Sequence, residues 1–510
     1  MAIDPKHLPD DPKALQAIVL DLIAQLDKEF HERSKIETLL RELLDAKRNR
    51  RSERLSDDQL ALFAAAWQAR QAEKPEDEKD SDDDDAAPGK PSSGSGKRGG
   101  GRRALSRNLK RERVVHDLAE AEKHCETCHQ DLRPIGEETS ERYEYVPAQL
   151  TVIEDVCKKY ACACTLKTAT KPPQPIAKST ASASLLAQVI VAKTADHLPL
   201  HRQEKIFARH GVEISRKTMC GWLAQCADVL QPLYRSMKET LFQSKAIGTD
   251  DTSVKVLDIK LPFARTGRIW PYYGDAEHPV IVYDYTATRE RAGPEKFLKG
   301  YRGYLQADAY SAYDAFFKDE KRGLIEVACW AHARRYFHRA LESDSGRMGP
   351  ALLLIAQLYR VEKDACGMTA KERLRLRKLE SLPILGKLRD YLAEIQTEIL
   401  PKSPEGRAVR YVLKNWTALT RYCEDGDLAI DNNATERAIR GVAVGRNNWV
   451  FFGSDEGGRT GAVLRSFVAS CQRAGVDPFA WFKDVLARLG NHPAKKLAEL
   501  LPHKWTPAQV

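Results

Sequence analysis

Four acidic side chains occupy positions where buried or half-buried elements are expected. Segment 245–257, KAIGTDDTSVKVL, is rich in β-branched residues and reads as a strand, yet it carries Asp250 and Asp251 near its middle. Segment 304–308, YLQAD, reads as a second strand and ends in Asp308. Glu436 lies in segment 431–458, DNNATERAIRGVAVGRNNWVFFGSDEGG, where Asn433 suits a helix cap. Ala434, Ala438 and Val442 then fall on one buried face, with Glu436, Arg437 and Arg440 off it. Charge inside a strand needs a reason. Carboxylates that converge without a cation repel one another and raise at least one pKa, whereas a hard, oxygen-seeking ion such as magnesium makes the cluster favourable. Two divalent ions about 4 Å apart serve in-line cleavage of a phosphodiester by stabilising the attacking and leaving oxygens. Glu436 also has a plainer reading, in which it completes a capping box with Asn433 and pairs with Arg440 one turn on.

The elements around these acids set the expected architecture. Strand candidates at 270–273 and 280–285 lie between the two acid-bearing strands, and 329–339, CWAHARRYFHR, begins a long helical region. Strands first, acids on two of them and a third acid on a later helix is the layout of a ribonuclease-H-like nucleotidyl transferase core. The long separation of Asp308 from Glu436 requires a helical insertion, filled by segments such as 371–400.

Here the residues carry a resemblance. The stretch IDNNATERAIRGVAVGRNNWVFFGSDEGG, with GTDDTSVKVL, GYLQADAYSAY and CWAHARRYF, closely resembles the insertion-sequence-66 family of transposases, a branch of the acidic-triad (DDE) enzymes. The likeness extends over ADHLPLHRQEKIFARHGVEISRKTMCGWL and RSFVASCQRAGVDPFAWFKDVLARL and covers the amino-terminal part loosely. Carried over by position, it places the catalytic triad on Asp250, Asp308 and Glu436, holding two Mg2+ or Mn2+ ions. Strand alternation alone leaves Asp251 a rival for the first place, and Asp284 is a weaker rival to Asp308. Asp314 reads as a surface residue, and Asp431 as ordering the turn before the Glu436 helix. The resemblance further implies an enzyme that binds the terminal inverted repeats of an insertion sequence, cleaves a strand at each end and joins the freed 3′ hydroxyl to target DNA. A DNA-binding regulator derived from such an enzyme, and a nuclease of the same fold without strand transfer, are the competing functions.

Other segments suit contact with double-stranded DNA. Segment 201–230 reads as two helices about a turn at His210 and Gly211, with a cap at Ser215, which is helix-turn-helix geometry with Arg216 and Lys217 at the start of the second helix. His332, Arg335, Tyr336 and Arg339 recur at i, i+3, i+4 and i+7, a surface fit for a phosphate backbone. Arg437, Arg440, Arg446, Asn447 and Asn448 lie close to Glu436 in sequence and suit a clamp on phosphate; Trp449, Phe451 and Phe452 read as core. Each basic set also has a solvated-face reading.

The 81 Lys plus Arg against 72 Asp plus Glu give a formal net charge of +9 in 510 residues, which favours a polyanionic partner. A chain of this length implies several domains. The first residues lack a charged start followed by an apolar run, and the most apolar stretch, 185–192, is too short to span a bilayer, so a cytoplasmic, nucleoid-associated protein without membrane contact is expected. Eleven cysteines are too sparse for a disulfide scaffold. Cys125 and Cys128, with Cys162 and Cys164, offer four thiolates for a structural Zn2+, and Tyr143, Tyr145, Val152 and Val156 suit small strands between the halves. His124, His129 and Cys157 are possible substitute ligands.

The expected fold class is a multidomain α/β protein. A helical or coiled-coil region at 1–70, with heptad-spaced Leu15, Leu22, Ile36 and Leu43 suited to a homodimer or higher assembly, precedes an acidic then Gly/Ser-rich linker at 71–103. The basic tract 47–54 follows the heptads. A zinc-ribbon-like cysteine module at 104–170 and a helix-turn-helix-like segment at 176–240 come next. The core is expected at 241–345 and 426–490 about a helical insertion at 346–425, with a tail at 491–510. Accessory proteins of the same element are possible partners.

Overall fold

The computed structural model describes residues 59–61, 63–64, 149–161, 166–170, 174–177 and 179–508 except 309 and 310. The heptads, the linker and all four cysteines of the expected zinc module lie outside the described residues. The chain divides into two compact units, 76–156 on the one hand and 1–75 with 157–510 on the other. Of the former, residues 149–156 are described and carry no regular element. The strands expected at Val152 and Val156 are absent: Val152 is 98% and Val156 75% exposed. The pairing starts later, where β1 (Lys159–Ala161) meets β2 (Leu166–Thr168) as a short antiparallel hairpin.

The larger unit is built on a seven-stranded mixed sheet. Its long central strand comes in two pieces, β3 (Ala246–Thr249) and β4 (Thr252–Val256), both antiparallel to β5 (Arg265–Tyr273). The register is continuous across the interruption, which sets Asp250 opposite Pro271. Proline has no N–H to give to a ladder, so the pairing lapses there and leaves Asp250 and Asp251 outside regular strand. The segment expected as one strand with two acids inside it is therefore two strands with the acids at the break. Strand β6 (Ile281–Thr286) flanks β5, while β7 (Gly303–Gln306) and β8 (Leu324–Val327) run parallel to β3 on its other side. The order through the centre is β6-β5-β3-β7-β8, with β9 (Phe451–Phe452) parallel to β4.

Side chains alternate between the two faces of the sheet, as the period of two requires. Trp270, Tyr272, Val282, Ile247 and Leu305 point into one core. That core also takes α1 (Ala183–Thr194), α2 (Leu200–Arg209), α3 (Arg216–Val229), α4 (Gln231–Leu241) and, later in the chain, Phe467, Trp481 and Leu500. The helix pair at 200–229 thus shares a core with the sheet, and the expected tail packs into it, with Trp481 Nε1 donating to the Leu500 carbonyl. Ile269, Ile281, Tyr283 and Tyr285 face the opposite way.

Between β6 and β8 come α5 (Ala292–Phe297) and α6 (Ser311–Lys318). After β8 the helices α7 (Trp330–Ala340), α8 (Ser345–Asp364), α10 (Leu382–Gln396), α11 (Pro404–Lys414) and α12 (Trp416–Thr420) enclose an apolar core of their own, with α9 (Ala370–Leu376) outside it. A π-helical turn, Arg377–Ser381, brings buried Arg377 onto Glu362 at 2.7 Å and onto the carbonyls of Tyr422 and Asp425. The buried cation is thereby paired and hydrogen-bonded. The chain then returns to the sheet through α13 (Asn433–Trp449), α14 (Asp455–Ala474) and α15 (Pro478–Arg488).

Candidate active site

Asp250 leaves the end of β3, and Asp308 follows β7, the strand parallel to β3 beside it. Adjacent parallel strands that end together set their following residues side by side, so the two aspartates come from the same edge of the sheet. Glu436 sits in the first turn of α13. Two contacts bring that turn to the strand. Asn432 Nδ2 donates to the Thr249 carbonyl at 2.8 Å, and Thr435 packs on Gly248 so closely that a Cβ there would lie 2.3 Å from Thr435 Oγ1. Only glycine lets the helix approach this near.

Burial pushes the Asp250 carboxyl up to about 7; the Asp251 N–H donating to Asp250 Oδ1 at 2.7 Å opposes the shift, and the charges of Asp308, Asp251 and Glu436 add to it. Glu436 Oε1 is shielded from solvent and has no hydrogen-bond partner. His332 Nδ1 lies 3.8 Å from Glu436 Oε1, and Arg335 Nη2 lies 4.0 Å from Glu436 Oε2. A buried carboxylate oxygen with an unfilled lone pair, beside an aspartate whose ionisation is disfavoured, is a donor set deficient in positive charge. Such a set suits a hard divalent cation.

Asp251 is committed elsewhere. Its side chain, 3% exposed, accepts from Arg268 Nη1 at 2.8 Å and from Arg289 Nε and Nη2 at 2.9 and 2.7 Å. Asp284 lies on β6 opposite Trp270; burial raises it to about 6, and Lys238, Lys296 and Arg459 counter that rise. Asp431 accepts from the Asn433 backbone and side chain and from Tyr359, and so orders the turn before α13. The expected cap at Asn433 is displaced by one residue. Asn432 holds the cap position and makes no capping bond, because its amide is engaged with Thr249.

The basic residues separate into distinct groups. Arg437, Arg440 and Asn447 are exposed on α13 and Asn448 is half-buried. Arg446 turns inward instead: its Nη1 donates to the Ser253 carbonyl at 2.7 Å and to Thr252 Oγ1 at 3.0 Å. On α7, His332 and Arg335 face Glu436, Arg339 is exposed, and Tyr336 stacks on Tyr411 with ring centres 4.6 Å apart. Arg216 and Lys217 open α3, exposed, behind the Ser215 cap that accepts from the Thr218 N–H. Trp449 and Phe452 pack together at 4.6 Å, whereas Phe451 is 44% exposed rather than core.

Residues 178–460 match the family described as Transposase IS66 family. The chain belongs to the IS66 transposase family. Residues 466–503 match the IS66 C-terminal element, and 122–165 match the zinc-finger binding domain of transposase IS66, a span that contains Cys125, Cys128, Cys162 and Cys164. Relatives in Sinorhizobium fredii include Uncharacterized protein y4jD, 32% identical over 403 residues, covering 76% of this chain and 79% of the relative. Another, Uncharacterized protein y4hP, is 31% identical over 427 residues, covering 79% and 76%. Among the described residues, no helix is long and apolar enough to cross a membrane.

Gly248, Cys329, Asn432 and Thr435 were not marked by sequence reasoning, yet they fix where α13 meets β3. The tetrad N-N-A-T before Glu436 gave a signal of helix entry only. Its contacts with Gly248 and Thr249 are long-range and have no counterpart in local spacing.

Proposed function

We propose that this IS66-family chain is a DNA transposase that binds the inverted repeats at the ends of an insertion sequence, cleaves them and transfers the freed strand, with Asp250, Asp308 and Glu436 as its catalytic acids. The observation that carries the reading is that Asp250 and Asp308 follow adjacent parallel strands while the helix bearing Glu436 is tied to β3 by the Asn432–Thr249 bond; the charges of Asp308 and Glu436 add to the burial that raises Asp250 to about 7. The central strand order, β6-β5-β3-β7-β8 with β5 alone antiparallel to the rest, supports a ribonuclease-H-like core at 241–345 and 426–490, interrupted by the helical insertion at 346–425.

Asp250, Asp308 and Glu436 would hold two Mg2+ or Mn2+ ions, which when bound polarise the scissile phosphate and favour ionisation of the attacking oxygen. The protein's own groups do the rest. In the first step, a water oxygen bonds to phosphorus and the 3′ oxygen leaves, giving a 3′ hydroxyl and a 5′ phosphate. In the second, that 3′ hydroxyl attacks a target phosphodiester and releases a new 3′ oxygen. Arg437 and Arg440, exposed on the helix that carries Glu436, are proposed to contact the DNA backbone, since a guanidinium suits phosphate. His332 and Arg335 flank the Glu436 carboxylate at 3.8 and 4.0 Å. Arg268 and Arg289 pair with Asp251 and hold its carboxylate away from the proposed metal ligands. Arg216, Lys217, Arg339, Arg446 and Asn447 complete the proposed DNA contacts, of which Arg446 is the weakest candidate because its guanidinium is engaged with Ser253.

Cys125, Cys128, Cys162 and Cys164 are proposed to hold a structural Zn2+, in line with the zinc-finger match. Synapsis of two DNA ends requires at least two copies of the chain. The test is to incubate the full-length protein with duplexes carrying the element's terminal inverted repeat and magnesium. New 3′ hydroxyl ends at the repeat boundary and strand-transfer products support the reading; binding without either product supports a regulator, and cleavage without joining supports a nuclease.

A further inference from the structure

Donors of different softness meet at one end of the carboxylate cluster. Cys329 immediately precedes α7 and His332 lies in its first turn, a spacing of three that sets both on one face. Glu436 enters from the first turn of α13. The Cys329 sulfur, a His332 ring nitrogen and a Glu436 carboxylate oxygen all lie within 4.8 Å of one another. The Asn432 backbone N–H donates to Cys329 Sγ at 3.2 Å, the kind of contact that supports charge on a ligating sulfur.

We propose that Cys329, His332 and Glu436 form a binding site for a zinc-class transition ion, distinct from the magnesium-type sites of the aspartates. Magnesium takes oxygen and near-octahedral geometry, and it has little use for a thiolate or an imidazole. A sulfur, nitrogen and oxygen set is the donor chemistry of zinc, with bonds of about 2.3 Å to sulfur and about 2.0–2.2 Å to nitrogen and oxygen. Tetrahedral bonds of that length separate the donors by roughly 3.3–3.8 Å, so closure asks only for small side-chain rotations. Three protein ligands leave a fourth position for water or a phosphate oxygen. Burial pushes the Cys329 thiol up to about 12, so the metal must displace its proton on binding. Occupancy would withdraw Glu436 from the catalytic trio, making the site a point at which zinc opposes magnesium-supported cleavage. The inference rests on the position of Glu436 and not on the trio's activity, so it stands or falls separately from the proposed function.

Cobalt(II) titration of the metal-stripped full-length chain tests it, followed by absorption in the thiolate-to-cobalt charge-transfer and d–d regions. Wild type is compared with Cys329→Ser, His332→Gln and Glu436→Gln. The cysteines of the zinc-finger match contribute the same background to all four proteins. The expected result is one tightly bound cobalt fewer in each variant than in wild type, with Cys329→Ser also losing charge-transfer intensity. Glu436→Gln leaves buried Cys329 and half-buried His332 in place, so its loss reads ligation and not folding. Equal stoichiometry and equal spectra in all four proteins would overturn the site, as would full cobalt binding by Glu436→Gln.

Discussion

Asn432 Nδ2 donates to the Thr249 carbonyl across 2.8 Å, and this bond ties the helix bearing Glu436 to the strand that ends at Asp250. The two residues are far apart in sequence and adjacent in space.

Gly248→Ala places a Cβ 2.3 Å from Thr435 Oγ1 and 2.9 Å from Asn432 Oδ1. Relief requires α13 to move off the strand, at a cost of about 1–3 kcal/mol in unfolding free energy by denaturant titration. Cleavage should fall with it, because Glu436 moves too. Thr435→Ala added to Gly248→Ala should recover part of the stability, since it removes the nearest atom.

The raised Asp250 pKa has a definite sign. An unfolded aspartate titrates near about 3.9, and in the folded protein Asp250 does so at about 7. The folded state therefore binds the proton more tightly, and the stability this contributes is complete below the unfolded pKa and lost as pH rises through about 7. In metal-free protein, the melting temperature of Asp250→Asn should fall less between pH 4 and pH 8 than that of wild type. Magnesium added at the upper pH should raise the wild-type melting temperature more than that of the variant.

Asp251→Asn should act through stability. Its carboxylate is buried between Arg268 and Arg289, and removing the charge leaves both guanidiniums without their anion. Breaking a buried pair in this way costs about 3–5 kcal/mol, less to the extent that Arg289 reaches solvent. Thermal melts should show the loss with or without magnesium, which separates Asp251 from a metal ligand.

Arg437→Ala and Arg440→Ala should each weaken DNA binding and lower the slope of log affinity against log salt by about 1, with melting unchanged. Arg446→Ala should instead lower melting, because its guanidinium holds the Ser253 carbonyl of β4. Salt-dependent binding isotherms and melts on the three proteins distinguish the roles.

The local features of the fold were legible in the sequence. The strand candidates at 270–273 and 280–285 fall within or across β5 and β6, and Ser215 marked the start of α3 through its side-chain oxygen, which caps as that residue type does. The position of Asp250 and Asp251 was not legible as a break, because it depends on Pro271 in the facing strand and hence on register. Choosing between the two acids was likewise beyond strand alternation. The arginines that engage Asp251 come from β5 and the turn after β6, and only the folded sheet brings them there. The junction of Gly248 with Thr435 was invisible for the same reason: close approach of a helix to a strand leaves a glycine behind, but glycine has many other uses.

The most direct test of the central claim is single-turnover cleavage of a terminal-repeat duplex with magnesium, comparing wild type with Asp250→Asn, Asp308→Asn and Glu436→Gln. Each variant should retain its fold and its binding to the repeat while losing product formation by roughly a hundred- to a thousandfold, the scale on which removal of one transition-state contact is felt. Cleavage by Glu436→Gln at the wild-type rate would contradict the account, because it would leave the helix-borne acid outside the chemistry.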